Sequence, residues 1–301
     1  MKAIPFILFL LLVTISCKTD SKKSVTQKTN PTVDAKKIQP DSLVQRWAIG
    51  RQLQNVESVI YDSDNDVYYA SCGKSYKIGN EGFISKLSST GNLLEQNWIT
   101  NLNRPTGMAI HDGKLFVADI NRLLVIEIAT AKVVKNIPES SQNSGLNDVA
   151  INEKGDVFVT GSFVHSVFKV QGDSLLILAK DDEKLKWANG IASSGEDLII
   201  GGMHLIKLNT TSAKMVQLIT TPQVVDIDGL VLDGNGGLFA TTVENSAIWH
   251  IDESGKAIKI ASDSNYCGDL DLVAHKKRLV IARGNQAADT FFIESRPLLK
   301  Y

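Results

Sequence analysis

The sequence lacks net charge: 32 Lys and Arg stand against 33 Asp and Glu, leaving −1 at pH 7. Without a basic stripe there is no electrostatic footprint for a nucleic-acid partner, nor a polybasic membrane surface. Histidine and cysteine are scarce, at five and three residues. His111, His165, His204, His250 and His275 show no close ligand spacing, which argues against structural zinc. Gly-x-Ser-x-Gly is missing, so there is no nucleophile elbow. Gly73-Lys74-Ser75 lacks the upstream glycine of a phosphate-binding loop and follows a strand in a hairpin. No stretch sustains a helical hydrophobic period. The longest apolar run, residues 4–13, is shorter than the ~20 residues a membrane-spanning helix needs. What is present is ordinary for a globular protein with a core: 43% hydrophobic and 22% charged residues.

The first forty residues read as export and tethering. Lys2 supplies a positive start, residues 4–13 an apolar segment, and Thr14-Ile15-Ser16-Cys17 resembles a bacterial lipobox. The expectation is a signal peptide over residues 1–16 and lipidation of Cys17. Residues 17–40 are polar and would form a disordered tether, reaching about 25–30 Å. This places the chain on the cell envelope, in the periplasm or at the outer membrane, held to the membrane through the lipid on Cys17. Residues 41–301 form the folded domain, expected as a monomer.

Within that domain one pattern recurs six times: a polar residue, an apolar run, a turn, and a second apolar run. The polar positions are Glu57, Thr106, Asn147, Asn189, Asp228 and Asp269, spaced 39 to 49 residues apart. Turn formers such as Asp112-Gly113 and Gly234-Asn235-Gly236 separate the runs, so each copy starts with a β-hairpin. Further strand-like runs, Phe83–Leu87 and Ala247–Ile251 among them, complete four-stranded units of about 40–45 residues, the size of one propeller blade. The fold class is therefore all-β, a six-bladed β-propeller. Trp47 and Phe291-Phe292-Ile293 flank the copies and are expected to pair and close the ring. Cys72 and Cys267 fall in the first and last repeats, which would be ring neighbours. One disulfide is open to them in an exported chain, but two free buried thiols are the expectation.

Propeller symmetry brings the six polar positions together around the central channel. Five of the six carry a carboxylate or amide oxygen. Glu57 and Asp228 would supply two negative charges, Asn147 and Asn189 neutral oxygens, a set that suits one divalent cation, calcium above all. The opposing reading takes Asn189-Gly190 and Asp228-Gly229 as turn dipeptides. Trp187, just before Ala188-Asn189, either lines a substrate pocket or fills a blade interface, the second being preferred.

These motifs, Glu57 at the first blade, Leu146-Asn147-Asp148-Val149, Ala188-Asn189-Gly190-Ile191-Ala192 and Asp226-Ile227-Asp228-Gly229-Leu230, resemble the family of senescence marker protein (regucalcin), gluconolactonase and luciferin-regenerating enzyme. The resemblance covers residues 55–285. It implies Glu57, Asn189 and Asp228 as metal ligands, Asn147 and Asp148 near the substrate, and hydrolysis of a lactone or ester. Asp228 would be the catalytic base, with Asp148 its rival, because ligation weakens a carboxylate as a base. Glu57 is followed by Ser58-Val59 where gluconolactonases carry Gly-Pro, and the family's substrate-binding arginine has no counterpart. The alternative is a non-catalytic propeller that binds a ligand or partner and uses the metal structurally.

Overall fold

The computed structural model describes residues 43–298 except 142. The signal peptide expected at 1–16, Cys17 and the tether over 17–40 lie outside the described residues. Those described belong to one compact unit within residues 39–301.

Local turn chemistry sets the strands. Asp112 and Gly113 both take left-handed φ values, 48° and 67°, the geometry of a two-residue hairpin, and His111 pairs with Lys114 across it. Elsewhere an Asp or Asn side chain organises the turn. Asp62 Oδ1 accepts the N–H groups of Asp64 and Asn65, and Asn152 Oδ1 those of Lys154 and Asp156.

Among the described residues these hairpins extend into six antiparallel four-stranded sheets. Blades one to five span residues 58–102, 105–138, 146–180, 191–218 and 227–262, each with its strands paired in chain order. The sixth spans 266–297 and takes its outermost strand from the N-terminal side, Gln45–Gly50. Trp47 pairs with Ile293, as the flanking segments led us to expect. The fold is the six-bladed propeller, and no α-helix occurs among the described residues.

The core lies between blades. At the closure Trp47, Leu53, Tyr68, Val280, Phe291 and Ile293 pack together from the first and sixth blades. The innermost strands form a closed cycle, each touching the next around the channel. Cys72 and Cys267 are buried and free.

Candidate functional site

The six polar positions sit where the inner strands are irregular. In blades two, three, five and six the ladder shifts register between Pro105 and Met108, Leu146 and Val149, Ile227 and Leu230, and Cys267 and Leu270. Each interval contains a ring residue: Thr106, Asn147, Asp228 or Asp269. Glu57 and Asn189 lie just before their strands, Ser58–Asp62 and Ile191–Ser194. Such irregularities free a residue from its own ladder and re-aim it. Here the freed groups bond across to neighbouring blades. Gly190 N donates to Asp228 O at 2.6 Å, and Asp269 N to Glu57 O at 2.7 Å. Gly190 and Gly229 allow this approach: a Cβ on Gly190 would stand 2.6 Å from the Asp228 carbonyl, and one on Gly229 would overlap Asp269. The two dipeptides are blade contacts, not isolated turns.

A cavity of about 510 Å³ opens at the channel mouth, lined by Glu57, Asp228, Arg104, Tyr76 and Tyr266 among others. Asn189 joins it through Asp228, whose Oδ1 accepts a hydrogen bond from Asn189 Nδ2 at 2.6 Å. Asn147 joins it through Tyr76, Nδ2 donating to the hydroxyl at 3.4 Å. Asp148 lines a second cavity of about 330 Å³, with Asp269 and Asp271. Both its oxygens are engaged, Oδ1 by Val149 N and Oδ2 by Ile191 N of the next blade. The structure thus brings Glu57 and Asp228 into one cavity, with Asn189 and Asn147 attached to its wall, and puts Asp148 in another.

Burial dominates the electrostatics. It raises the Asp228 carboxyl well above the usual range, and the charges of Glu57 and Asp269 raise it further. Burial also raises Glu57, opposed by Arg104. Asp148 is raised by burial and by Asp269, and Asp269 is pushed up to about 7, again chiefly by burial.

Arg104 is the residue sequence reasoning missed. Its buried Nη2 donates to Glu57 Oε2 and to Asn55 O, both at 2.9 Å, and its guanidinium lies 5.2 Å from the Tyr76 ring centroid. It stands two residues before Thr106, the offset that Trp187 holds from Asn189. Extending the repeat register by two positions is the signal that finds both. Trp187 does not fill a blade interface: it is 47% exposed, with φ at +54°.

The donor set fits a hard cation. Among the described residues no three His, Cys, Asp or Glu side chains form a metal-holding group, so amide oxygens would have to take part. Their orientation is fixed chemically. Ser162 Oγ gives its hydrogen to Ala188 O at 2.7 Å, so it can only accept from Asn147, which turns its nitrogen there. Where a bound cation would keep Asp228 ionised, its Oδ1 likewise demands the nitrogen of Asn189. Both amide oxygens, Oε1 of Glu57 and Oδ2 of Asp228 then take no donor among the described residues.

No protein-family model and no curated protein matches this sequence. Among solved structures, a gluconolactonase from Xanthomonas campestris is similar with a TM-score of 0.61 at 13% identity, covering 82% of this chain and 88% of that one. A luciferin-regenerating enzyme gives 0.61 at 11%, covering 85% and 96%. A catalytically inactive virginiamycin B lyase from Staphylococcus aureus with quinupristin gives 0.60 at 12%, covering 85% and 99%. At such identities the likeness is one of fold, the six-bladed propeller.

Proposed function

We propose that the channel mouth binds one divalent cation, calcium, and hydrolyses a lactone or ester, and that lipidation of Cys17 holds the protein on the cell envelope. The observation that carries this reading is the set of four oxygens without donors among the described residues: Glu57 Oε1, Asp228 Oδ2 and the amide oxygens of Asn147 and Asn189. The lining carries the carboxylates of Glu57 and Asp228 against the buried guanidinium of Arg104 and an exposed Lys74, which pairs with Glu81. Bound by these residues, the cation would polarise the substrate carbonyl and stabilise the developing oxyanion.

Asp228 is the base this arrangement favours. It lines the same cavity as Glu57, whereas Asp148 lines another and has both oxygens held by backbone N–H groups. Asp228 takes a proton from the attacking water as the new C–O bond forms. When the ring or ester C–O bond breaks, that proton passes to the leaving oxygen. Arg104 holds Glu57 in place through their hydrogen bond and opposes the protonation that burial favours. Neighbours of the same fold named as a gluconolactonase and a luciferin-regenerating enzyme support small-molecule chemistry on this fold.

A second reading, a non-catalytic binding propeller with a structural metal, draws on Arg104 itself, which already neutralises one of the two mouth carboxylates. Turnover of a lactone and ester panel by the purified protein separates the two. Hydrolysis abolished by chelator and reduced at least a hundredfold in Asp228→Ala is expected. A calcium-dependent melting temperature with no turnover of any compound would establish the binding propeller instead.

A further inference from the structure

A row of exposed rings runs into the mouth. Trp187 is 47% exposed, Phe163 40% and Tyr76 42%. The rings touch in order: Trp187 meets Phe163 edge-on at 6.1 Å, and Phe163 meets Tyr76 at 6.3 Å. Each end is tied to the site. Tyr76 lies over Arg104, accepts from Asn147 and lines the same cavity as Glu57 and Asp228. Trp187 stands two residues before Asn189. Between them Phe163 lies against Gly145, where a Cβ would come within 2.6 Å of its ring, and Gly145 leads directly into Leu146-Asn147.

Large rings normally supply burial to a core, and three in contact at a surface need another reason. Trp187 adds a second oddity. Its φ of +54° is a left-handed backbone that bulky residues rarely adopt. The conformation is held from both sides: Ala188 N donates to Leu185 O at 2.9 Å, and Met203 N to Lys186 O at 3.1 Å. Strained backbone that its surroundings hold in place is characteristic of ligand clamps. The fold thus sets a strained residue and an exposed indole at one position on the rim.

We propose that Trp187, Phe163 and Tyr76 form a subsite for an aromatic ring, so that the mouth selects aryl lactones or aryl esters over aliphatic and polyhydroxylated ones. An aryl group gains edge and face contacts along this row. A polyhydroxylated ring would gain less, because the row presents mainly ring faces and edges and its few polar groups are partly engaged: the Tyr76 hydroxyl accepts from Asn147, and His165 Nδ1, beside Trp187, lies 3.3 Å from Asp182. Hydroxyls left without partners there would disfavour such a ligand. That the ring belongs to a substrate rests on the hydrolase reading; the ring-binding subsite does not.

Calorimetry with inert probes tests it on the calcium-supplied protein. The probes are the hydroxy acids released from dihydrocoumarin and from δ-valerolactone, which differ chiefly in the fused benzene ring. The aryl acid is expected to bind about tenfold more tightly. Trp187→Ala erases the difference, and Trp187→Phe, which keeps a ring, restores most of it. Equal affinities in the wild type, or a preference that survives Trp187→Ala, overturn the proposal. An aryl preference with neither lactone turned over leaves the subsite standing and removes the hydrolase reading. Turnover of both lactones with equal probe affinities does the reverse.

Discussion

Arg104 Nη2 lies 2.9 Å from Oε2 of Glu57, which puts a buried guanidinium in the cavity that Glu57 and Asp228 line. The same nitrogen donates to Asn55 O, and Nη1 donates to Pro105 O at 3.1 Å. One side chain therefore joins the entry segments of the first two blades and sets the charge of the site.

Replacing it separates these roles. Arg104→Met leaves Glu57 without its cation and two carbonyls without donors, and a broken buried pair costs about 3–5 kcal/mol. Removing a positive charge beside the proposed cation site has the opposite effect on metal binding. Calcium is expected to raise the melting temperature of Arg104→Met by more than that of the wild type. An equal or smaller rise would mean that the guanidinium and the cation do not share Glu57.

Ring closure depends on Trp47. It pairs with Ile293, packs on Tyr68 with centroids 5.3 Å apart, and covers Gly91, where a Cβ would strike its ring. Trp47→Ala should destabilise by about 3–5 kcal/mol, read from urea unfolding. A loss below about 1 kcal/mol would show that the first and sixth blades are held without this strand.

The acidic channel predicts a pH dependence whose sign follows from Asp269. Burial pushes its carboxyl from 3.8 to about 7, against the hydrogen bonds from Ser58 Oγ and Leu270 N. A carboxyl with a raised folded pKa binds more protons folded than unfolded, so its contribution to stability is lost as pH rises between those values. In chelator, Asp269 should make the melting temperature fall from about pH 4 to 7. Asp269→Asn should flatten that fall; an unchanged slope would assign it to other groups.

Cys72 and Cys267 are buried and unbonded, and burial pushes both thiols up to about 12. Thiol reagents at neutral pH should leave both untouched in the native protein and label both in denaturant. Rapid labelling of either in the native state would contradict the packing.

The fold was legible because its signals are local. Apolar runs broken at Asp62-Ser63-Asp64-Asn65, Asp112-Gly113 or Asn152 through Asp156 become hairpins at those turns, and six copies leave the propeller as their arrangement. That Glu57 and Asp228 share a cavity was legible from their equivalent ring positions, although Asp269, the equivalent position of the sixth blade, lines the other cavity. Neighbours along a strand are harder to place. Asn147 and Asp148 are adjacent in sequence, yet successive strand residues face opposite ways. One reaches Ser162 and Tyr76, the other the backbone of the next blade. Arg104 escaped because its partners Glu57, Asn55 and Tyr76 come from another blade. Trp187 was expected inside a blade interface, and its left-handed backbone, which no hydrophobic pattern encodes, leaves its ring at the surface.

The central claim, a divalent cation held by Glu57, Asp228, Asn147 and Asn189, is tested most directly by thermal melting in chelator and after return of calcium. At a hundredfold excess over its dissociation constant, calcium should add about 2.7 kcal/mol. Chelator should reverse the gain, and Asp228→Ala should abolish it. A melting temperature unmoved by calcium, magnesium, manganese and zinc alike would contradict the cation site.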